Sequence, residues 1–148
     1  MSAAQYLGQN IRISLPDSGM TSLLTIKRTV EADYDYYAYI AELMRGPIES
    51  DSVEVWPVFP ENITMDDLNS IHVYENMAVV DFSAAFFEQV DALSPERQYM
   101  LVYSIVNTLA ATSNIRAVLF QADGGPVGEL SGGISLSSPL MPNPGIEN

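Results

Sequence analysis

The residues whose chemistry could support catalysis or hold a metal ion are few and widely spaced. The single histidine, His72, lies in a stretch typical of a β-strand, and no second histidine exists to share a transition metal. Neither H-E-x-x-H nor G-x-S-x-G occurs, so the sequence indicates no zinc hydrolase and no serine nucleophile. The absence of cysteine excludes thiolate metal sites, disulfides and a cysteine nucleophile. We therefore predict no catalytic residue, no metal site and no cofactor.

Acidic side chains offer a second route to chemistry, because paired carboxylates can act as acid and base or gather calcium. None of the close sets has the D-x-[DN]-x-[DN]-G spacing of a calcium loop. With 19 acidic residues in 148, close sets arise by chance, and a solvated acidic surface is the simpler interpretation. A carboxylate-dependent hydrolase stays open as the third of three functional hypotheses, since such groups meet in space. The sets are Asp33 with Asp35, Glu49, Asp51 and Glu54, and Asp66 with Asp67.

Three glycines that follow a predicted strand, Gly124, Gly125 and Gly128, invite the interpretation of a phosphate-binding loop. No helix is predicted after them and no Lys-Ser/Thr pair ends the loop, so the backbone amides would lack a positive helix terminus. We predict a hairpin turn there instead.

Four tyrosines crowd one and a half turns of a predicted helix and are the candidates for binding. At about 100° per residue they point to several sides, so the core cannot bury all of them and at least one should be exposed. Tyrosine that lies along the surface without a partner is one interpretation. The other is an aromatic patch for a protein or a glycan, made by Tyr34, Tyr36 and Tyr39.

Length, composition and charge narrow the kind of protein that must position these residues. A chain of 148 residues with 47% hydrophobic residues is expected to form one compact domain. The net charge of -13 makes nucleic acid and anionic lipid poor partners. No apolar stretch is long enough to span a bilayer and the start lacks a signal pattern, so membrane contact is expected only through an anchor outside this chain. We expect a flexible lead-in over residues 1–9, a domain over 10–140 and a flexible tail over 141–148.

Apolar spacing in the first half predicts a hairpin followed by a helix. Residues 11–15 and 23–30 are β-prone runs, and the PDSG stretch after the first run supplies the turn. Residues 33–45 have helical spacing, with Asp33 as the N-cap and a Gly-Pro pair as the stop. Residues 48–61 are interpreted as a loop that packs through its tryptophan and Phe59.

The second half predicts a second hairpin, a long helix and one or two further strands. Residues 68–74 and 77–82 are β-prone runs separated by two residues, the length of a tight turn, and the second run should be a central strand. Ser94 followed by proline starts a helix to about residue 111 that is apolar almost all round. Either the first helix and the loop or a second molecule must cover it. Strands are expected at 115–122 and, more weakly, at 133–140.

These elements predict a two-layer α+β domain, with a mixed sheet of about five strands and two helices packed on it. Four segments carry a resemblance in their order: IRISLPDSG, AELMRGP, MAVVDFSAAFF and YSIVNTLAATSNIRAVLFQADGGPV. Together they resemble the GerM domain family of sporulation and spore germination proteins and related envelope lipoproteins. The motif residues have structural roles at a helix end, a strand exit and a turn. They are Gly46, Pro47, Asp81, Ser83, Thr108, Asp123 and Gly124.

The resemblance implies a non-enzymatic extracytoplasmic domain, tethered by a signal or lipoprotein anchor, that helps to assemble protein complexes in the cell envelope. Its fold is similar to the small ring-building domains of the sporulation channel. The first functional hypothesis is therefore an interaction or scaffold domain in a Gram-positive envelope, linked to sporulation or germination. Its partners would be envelope proteins or a second copy of the chain, bound through sheet edges or the apolar helix. A peptidoglycan or glycan binding module is the second hypothesis, and the hydrolase is the third.

Overall fold

The computed structural model describes residues 8–148 and confirms the predicted α+β class. Its strands form two sheets rather than the single sheet expected. The first sheet is an antiparallel hairpin of β1 (Gln9–Pro16) and β2 (Leu23–Val30). The second sheet has the order β3-β4-β5-β6, and its strands are β3 (Leu68–Tyr74), β4 (Met77–Phe82), β5 (Ala117–Ala122) and β6 (Gly125–Pro126).

Within residues 8–148, three α-helices accompany the sheets: α1 (Tyr36–Arg45), α2 (Ala84–Asp91) and α3 (Pro95–Ala110). The sequence predicts the first and third, and α2 is additional. Eight residues make little more than two turns, so helical periodicity repeats too few times there to be recognised. None of the helices in residues 8–148 combines the length and the apolar character needed to cross a bilayer.

α3 lies at the centre of the core, as its apolar circumference predicts. Its start is capped by Ser94, whose Oγ accepts the Arg97 N–H at 3.3 Å. The helix packs against β1, α1 and β5, so both sheets and a second helix share its surface. The sequence leaves open whether other parts of the chain or a second molecule cover this apolar helix. On the sides that face β1, α1 and β5, the chain itself covers it.

α1 begins two residues later than predicted. Asp35, not Asp33, is its N-cap, and the Asp35 Oδ1 atom accepts the Tyr37 N–H at 3.0 Å. A capping carboxylate reaches only the second or third amide of the helix. Because the first helical residue is Tyr36, position 35 meets that requirement and position 33 does not.

α1 ends where the Gly-Pro pair predicts. Gly46 adopts a φ of 73°, and its N–H donates to the Leu43 carbonyl at 3.2 Å. A Cβ added at this position would lie 3.6 Å from Pro57 Cβ, which is ordinary contact. The positive φ rather than crowding therefore favours glycine here, and Pro47 directly after it cannot continue the helix.

The long loop after α1 packs into the core through different side chains from those expected. Phe59 is buried, which confirms half of the prediction. The other half is wrong, because Trp56 is 44% exposed and its Nε1 donates to Glu54 at 3.2 Å. Val55 and Val58 are buried instead. A locally extended chain sends neighbouring side chains to opposite sides, so burying Val55 turns the tryptophan outward.

The two tight turns of the second sheet follow the predicted chemistry. Glu75 and Asn76 have φ values of 49° and 66°, and Asp123 and Gly124 have 47° and 82°. Two successive positive φ values suit the right-handed twist of a two-residue hairpin. β4 pairs antiparallel with β3 and parallel with β5, which makes it the central strand that the sequence predicts.

The end of the chain is held against the domain. The strand predicted over residues 133–140 is reduced to two isolated bridges, Ser135 with Glu129 and Leu140 with Val118. Leu140 and Val118 exchange hydrogen bonds of 2.8 and 2.9 Å. Residues 141–148, the closing segment, were expected to be a flexible tail, yet the Asn148 N–H donates to the Leu23 carbonyl at 2.9 Å. Of the predicted lead-in, residues 1–7 lie outside the described residues.

A buried arginine joins three parts of the fold. Arg28 on β2 is 2% exposed, and its Nε and Nη2 donate to the two carboxylate oxygens of Asp51, each at 2.8 Å. Its Nη1 donates to Glu42 at 3.1 Å and its Nη2 to the Gly46 carbonyl at 2.8 Å. These four residues form the Arg28 cluster. Asp51 is therefore a buried partner and not the solvated acid that the sequence favours.

The pKa of Asp51 is held below its ordinary value. Burial by itself would raise it, but the Arg28 hydrogen bonds, the Ile48 N–H at 2.9 Å and the positive charge of Arg28 stabilise the carboxylate and lower it. The ion pair is therefore present in its charged form throughout the neutral pH range.

Replacing Arg28 by alanine should lower the free energy of unfolding by about 3–5 kcal/mol, because Asp51 and the Gly46 carbonyl would stay buried without their partner. Urea unfolding followed by circular dichroism measures this change. Lys27→Ala removes the same charge from the adjacent, exposed position and should change the free energy by less than about 0.5 kcal/mol. A loss below about 1 kcal/mol in the Arg28 variant would contradict the role of the cluster.

Stability should also depend on acid through Asp51. A carboxyl whose folded pKa is lowered contributes stability above its unfolded pKa, about 3.9, and loses that contribution as the pH falls through the folded pKa. Asp51→Asn should therefore be less stable at neutral pH and lose less stability than the wild type below about pH 4. Glu49→Gln, an exposed position in the same loop, is the control in unfolding curves from neutral to acid pH. Parallel curves for the wild type and Asp51→Asn would refute this linkage.

Candidate binding surface

Three of the clustered tyrosines meet at the start of α1. The ring centroids of Tyr34 and Tyr39 lie 5.9 Å apart in an edge-to-face arrangement, and those of Tyr36 and Tyr39 lie 6.3 Å apart with an interplanar angle of 28°. Tyr39 is 8% exposed and Tyr34 is 38% exposed. The buried ring of Tyr39 thus supports the two outer rings. We call these three residues the tyrosine surface, which stays a prediction as a binding site.

The fourth tyrosine has a structural role. The hydroxyl of Tyr37 accepts the Ile71 N–H at 3.2 Å, on the outer side of the edge strand β3. An edge strand carries unpaired amides that attract other strands, and this contact covers one of them. Tyr37 is not among the predicted binding residues.

Burial is the largest cause that raises the pKa of Tyr39 to about 12, together with hydrogen bonding and charge interaction with Tyr34 and charge interaction with Tyr36. The phenol therefore stays protonated throughout the physiological pH range. It offers a ring face and a neutral hydroxyl, and no phenolate nucleophile.

Two clefts flank the tyrosine surface. A cleft of about 430 Å³ lies between the three rings, Asp35 and residues 112–114 after α3. In it, Asn114 Nδ2 lies 3.5 Å from the Tyr36 hydroxyl. A wider cleft of about 660 Å³, the acidic cleft, lies between the end of β2 and α1. Its acidic lining residues are Glu31, Asp33, Asp35 and Glu42.

No lysine or arginine is found among the described residues that line the acidic cleft. The nearest charge compensation is at Glu42, which Arg28 contacts at 3.1 Å and Arg45 at 3.4 Å. Tyr34 lines both clefts. The aromatic surface and the negative surface are therefore continuous.

The geometry gives the hydrolase hypothesis no support. A general acid needs a raised pKa. Asp17 has a pKa lowered to about 2, because the N–H and the hydroxyl of Thr21 donate to it, and the pKa of Asp51 is lowered as described above. Asp35 is occupied as a helix cap. In the described residues no three His, Asp or Glu side chains are grouped so that they could hold a metal ion.

The remaining chemical candidates lie apart from one another. His72 is exposed on the edge strand β3, and Asp66 is exposed in the turn before that strand. The neighbouring Asp67 accepts hydrogen bonds from the Thr64 N–H at 3.1 Å and from the Ser83 hydroxyl at 2.9 Å. The glycine-rich stretch forms the β5–β6 hairpin, as predicted.

Four of the motif residues come together where β4 and β5 end. Asp81 Oδ2 accepts the Gly124 N–H at 2.7 Å, and Asn69 Nδ2 donates to both Asp81 and Asp123 at 3.0 Å. Asp123 in turn accepts the Ala84 N–H at the start of α2 at 3.1 Å. Ser83, the fourth motif residue here, caps α2 by accepting the Phe86 N–H at 3.1 Å.

This arrangement explains why the motif residues occur in the spacing observed. Two parallel strands end at the same edge of the sheet, and their exits leave amides that the strands no longer pair. The motif carboxylates and hydroxyl satisfy those amides. Thr108 does the same between α3 and β1, because its Oγ1 accepts the Ser14 N–H at 3.0 Å.

Two polar groupings were missed at the sequence level. Arg28 follows Ile26 on the inward face of an alternating strand, a signal that could have marked a buried charge in need of a partner. Its partner Asp51 is not indicated by any local pattern. The second grouping joins Asn107 on α3 to Glu147, which accepts the Asn107 amide at 3.1 Å. A contact over 40 residues leaves no periodic signal in the sequence.

The fold and the motif network define a small α+β domain of a kind known from solved sporulation proteins. The tandem GerMN domains of the sporulation protein GerM from Bacillus subtilis are similar, with a TM-score of 0.65 and 16% identity over 97% of this chain and 47% of that chain. The first GerMN domain of that protein has a TM-score of 0.63 and 20% identity, covering 90% and 97%. A candidate lipoprotein from Clostridium perfringens has a TM-score of 0.57 and 19% identity, covering 90% and 87%.

The chain belongs to the Germane family, described as sporulation and spore germination, whose model matches residues 14–128. This match confirms the family resemblance predicted from the four segments. The chain spans about half the length of the tandem-domain structure, and at these identities the solved structures show the fold alone. No curated protein sequence matches the chain.

Replacing Asp81 by alanine should lower the free energy of unfolding by about 2 kcal/mol, because the Gly124 N–H and the Asn69 amide lose a buried acceptor. Chemical unfolding measures the change. Asp66→Ala removes a carboxylate from an exposed position just before the same sheet and should be close to neutral. Equal effects of the two substitutions would contradict the structural role of the motif.

Proposed function

We propose that this chain is a non-catalytic docking domain of the bacterial cell envelope that serves sporulation or spore germination. The family match supports the link to that process, and its description names no reaction. The domain would be held outside the cytoplasm by a lipid or transmembrane anchor elsewhere in the full-length protein. The similarity in fold to a candidate lipoprotein supports this location.

The observation that carries the proposal is the supported pair of tyrosine rings beside the acidic cleft, exposed Tyr34 and half-buried Tyr36. Tyr34 and Tyr36 rest on the buried Tyr39, so they lose little freedom when a partner packs on them. Tyrosine is enriched among the residues that dominate binding energy at protein interfaces. A rigid aromatic pair at the surface is therefore suited to docking.

Charge indicates the chemistry of the partner. The acidic cleft and the overall net charge of -13 repel acidic proteins and attract basic ones. Arginine and lysine side chains also bind over the faces of aromatic rings. We therefore expect an envelope protein that presents a basic segment, with its cationic side chains over the tyrosine rings and in the acidic cleft.

The cleft beside the rings also favours a second candidate, a glycan such as peptidoglycan. Asp35 and Asn114 place an acceptor and an amide next to Tyr34 and Tyr36. Sugars combine stacking on a ring face with hydrogen bonds at the ring edge, and both are available here. Sedimentation with insoluble peptidoglycan tests this candidate. Equal retention of the wild type and a Tyr34→Ala, Tyr36→Ala variant would exclude the tyrosine surface from glycan binding.

Tyr34→Ala should weaken binding of a short fluorescent arginine-containing peptide about tenfold, because the ring is a central contact. Anisotropy titration at about 150 mM salt, where long-range attraction is screened, measures the affinity. Tyr74→Ala removes a tyrosine that is 67% exposed at the end of β3 and should leave the affinity unchanged. Equal weakening by both substitutions, or by neither, would leave only diffuse charge attraction and contradict the proposal.

The same pair of positions gives a test in cells. A photoreactive residue at position 34 of the full-length protein should crosslink to a protein partner during sporulation, and one at position 74 should not. Crosslinks at position 74 alone would move the docking surface to the edge of β3.

A further inference from the structure

A groove that shares no lining residue with the acidic cleft or the cleft beside the tyrosine rings holds the closing segment. Its walls are the β1–β2 hairpin and α3. The segment runs beside the start of β2, where Leu23 and Glu147 form a parallel bridge. A cleft of about 360 Å³ remains between the segment and the walls, so the segment does not fill the space. We call this feature the acceptor groove.

The acceptor groove recognises two side chains of the segment. The Glu147 carboxylate accepts hydrogen bonds from Ser14 Oγ at 2.9 Å, Asn107 Nδ2 at 3.1 Å and Thr25 Oγ1 at 3.2 Å. The Asn107 side chain makes two hydrogen bonds to the backbone of Asn143. Its Oδ1 accepts the Asn143 N–H at 2.8 Å, and its Nδ2 donates to the Asn143 carbonyl at 3.0 Å. All the wall groups that donate these hydrogen bonds are uncharged. Their positions match a carboxylate at residue 147 and the backbone of a residue four positions earlier.

The side chain of Asn143 also makes hydrogen bonds. Its Nδ2 donates to the Tyr99 hydroxyl at 2.6 Å, and its Oδ1 accepts the Gly145 N–H at 3.1 Å, which closes a turn through Pro144. The groove therefore contacts the side chains of an asparagine and a glutamate four residues apart, as well as the backbone at the asparagine.

The walls are built into the domain, whereas the segment rests on it. Ser14 and Asn107 are buried, and the hydrogen bonds of their side chains within the described residues all go to the closing segment. In contrast, none of residues 141–148 is buried. The segment is held by part-buried hydrogen bonds and by the half-buried side chain of Ile146, with no fully buried residue of its own. Such contacts stabilise much less than the burial of an apolar element, so we expect the segment to open without unfolding of the core.

The division between walls and segment follows the family boundary. Ser14, Thr25 and Asn107 lie within the residues that the family model matches, 14–128, and the closing segment lies outside them. The domain thus contains a formed polar receptor, and its ligand comes from beyond the matched region.

We propose that the acceptor groove is a peptide-binding site, which takes a segment of a partner protein with an asparagine and a glutamate four residues apart, in the turned conformation of residues 143–147. Residues 143–148 occupy the site within the same chain and compete with that partner. This site is separate from the tyrosine surface, so a test of peptide binding here is independent of a test of the proposed function.

A titration with the segment itself tests the proposal. The probe is the fluorescently labelled peptide MPNPGIEN, and the protein is the full chain with Asn143→Ala and Glu147→Ala, the released variant. The released variant should bind the peptide saturably and at least about tenfold more tightly than the wild type, whose own segment competes at high effective concentration. Adding Asn107→Ala to the released variant should abolish the difference. A peptide with alanine at its asparagine and glutamate is the matched control.

Two results would overturn the proposal. One is a folded released variant that binds the peptide no better than the control peptide. The other is unfolding of the released variant, which would make the segment part of the core structure.

Hydrogen exchange of the wild type gives a second measurement that needs no variant. The amides of Asn143 and Asn148 should exchange at least about a hundredfold faster than those of α3, and exchange only through global unfolding would contradict release. A concentration-dependent dimer that Glu147→Ala abolishes would support the site and identify its occupant as a second copy.

Discussion

The interaction on which the rest of the molecule depends is the pairing of one buried guanidinium. The Arg28 side chain is buried, and a buried charge destabilises the fold unless acidic groups and hydrogen-bond acceptors pair with it. Its partners lie on the end of α1 and in the loop that follows, and Arg28 itself lies on β2. The cluster thus fixes the angle between α1 and the first hairpin. Because α1 carries the tyrosine surface at its other end, the orientation of that surface is set by the same ion pair.

Apolar contacts alone would not specify this arrangement. Burial of valine, leucine and isoleucine is favourable in many relative orientations, since it depends on area and not on direction. Hydrogen bonds are directional, and the chain places them where elements join: Thr108 between α3 and β1, Asp81 between the exits of β4 and β5, and Arg28 at the end of α1. The family motif consists largely of such joints. This explains why a motif can identify the family and yet locate no active site.

The surface has a different character from the core. The described residues group no metal ligands, and the carboxyl groups with shifted pKa values are shifted toward permanent ionisation. What the surface does provide is a supported aromatic pair beside a negative cleft, and a polar groove that holds the closing segment of the same chain. We propose that each feature binds a partner and transforms none. An acidic domain with two separate docking surfaces of this kind would be suited to bringing proteins together in an assembly.

The sequence by itself determined those features that depend on neighbouring residues. Alternation and helical spacing place β1 to β4 and α3, and turn chemistry places the C-terminal end of α1 and both tight hairpins, since each is decided within a few residues. The tertiary structure alone decided the division into two sheets, the outward position of Trp56, the pairing of Arg28 with Asp51 and the docking of Glu147 on Asn107. Most of these features join residues that are far apart in the chain. The position of Trp56 depends instead on whether Trp56 or its neighbour Val55 is buried in the core. Local periodicity contains no information about them, because only the packed fold brings their atoms within bonding distance.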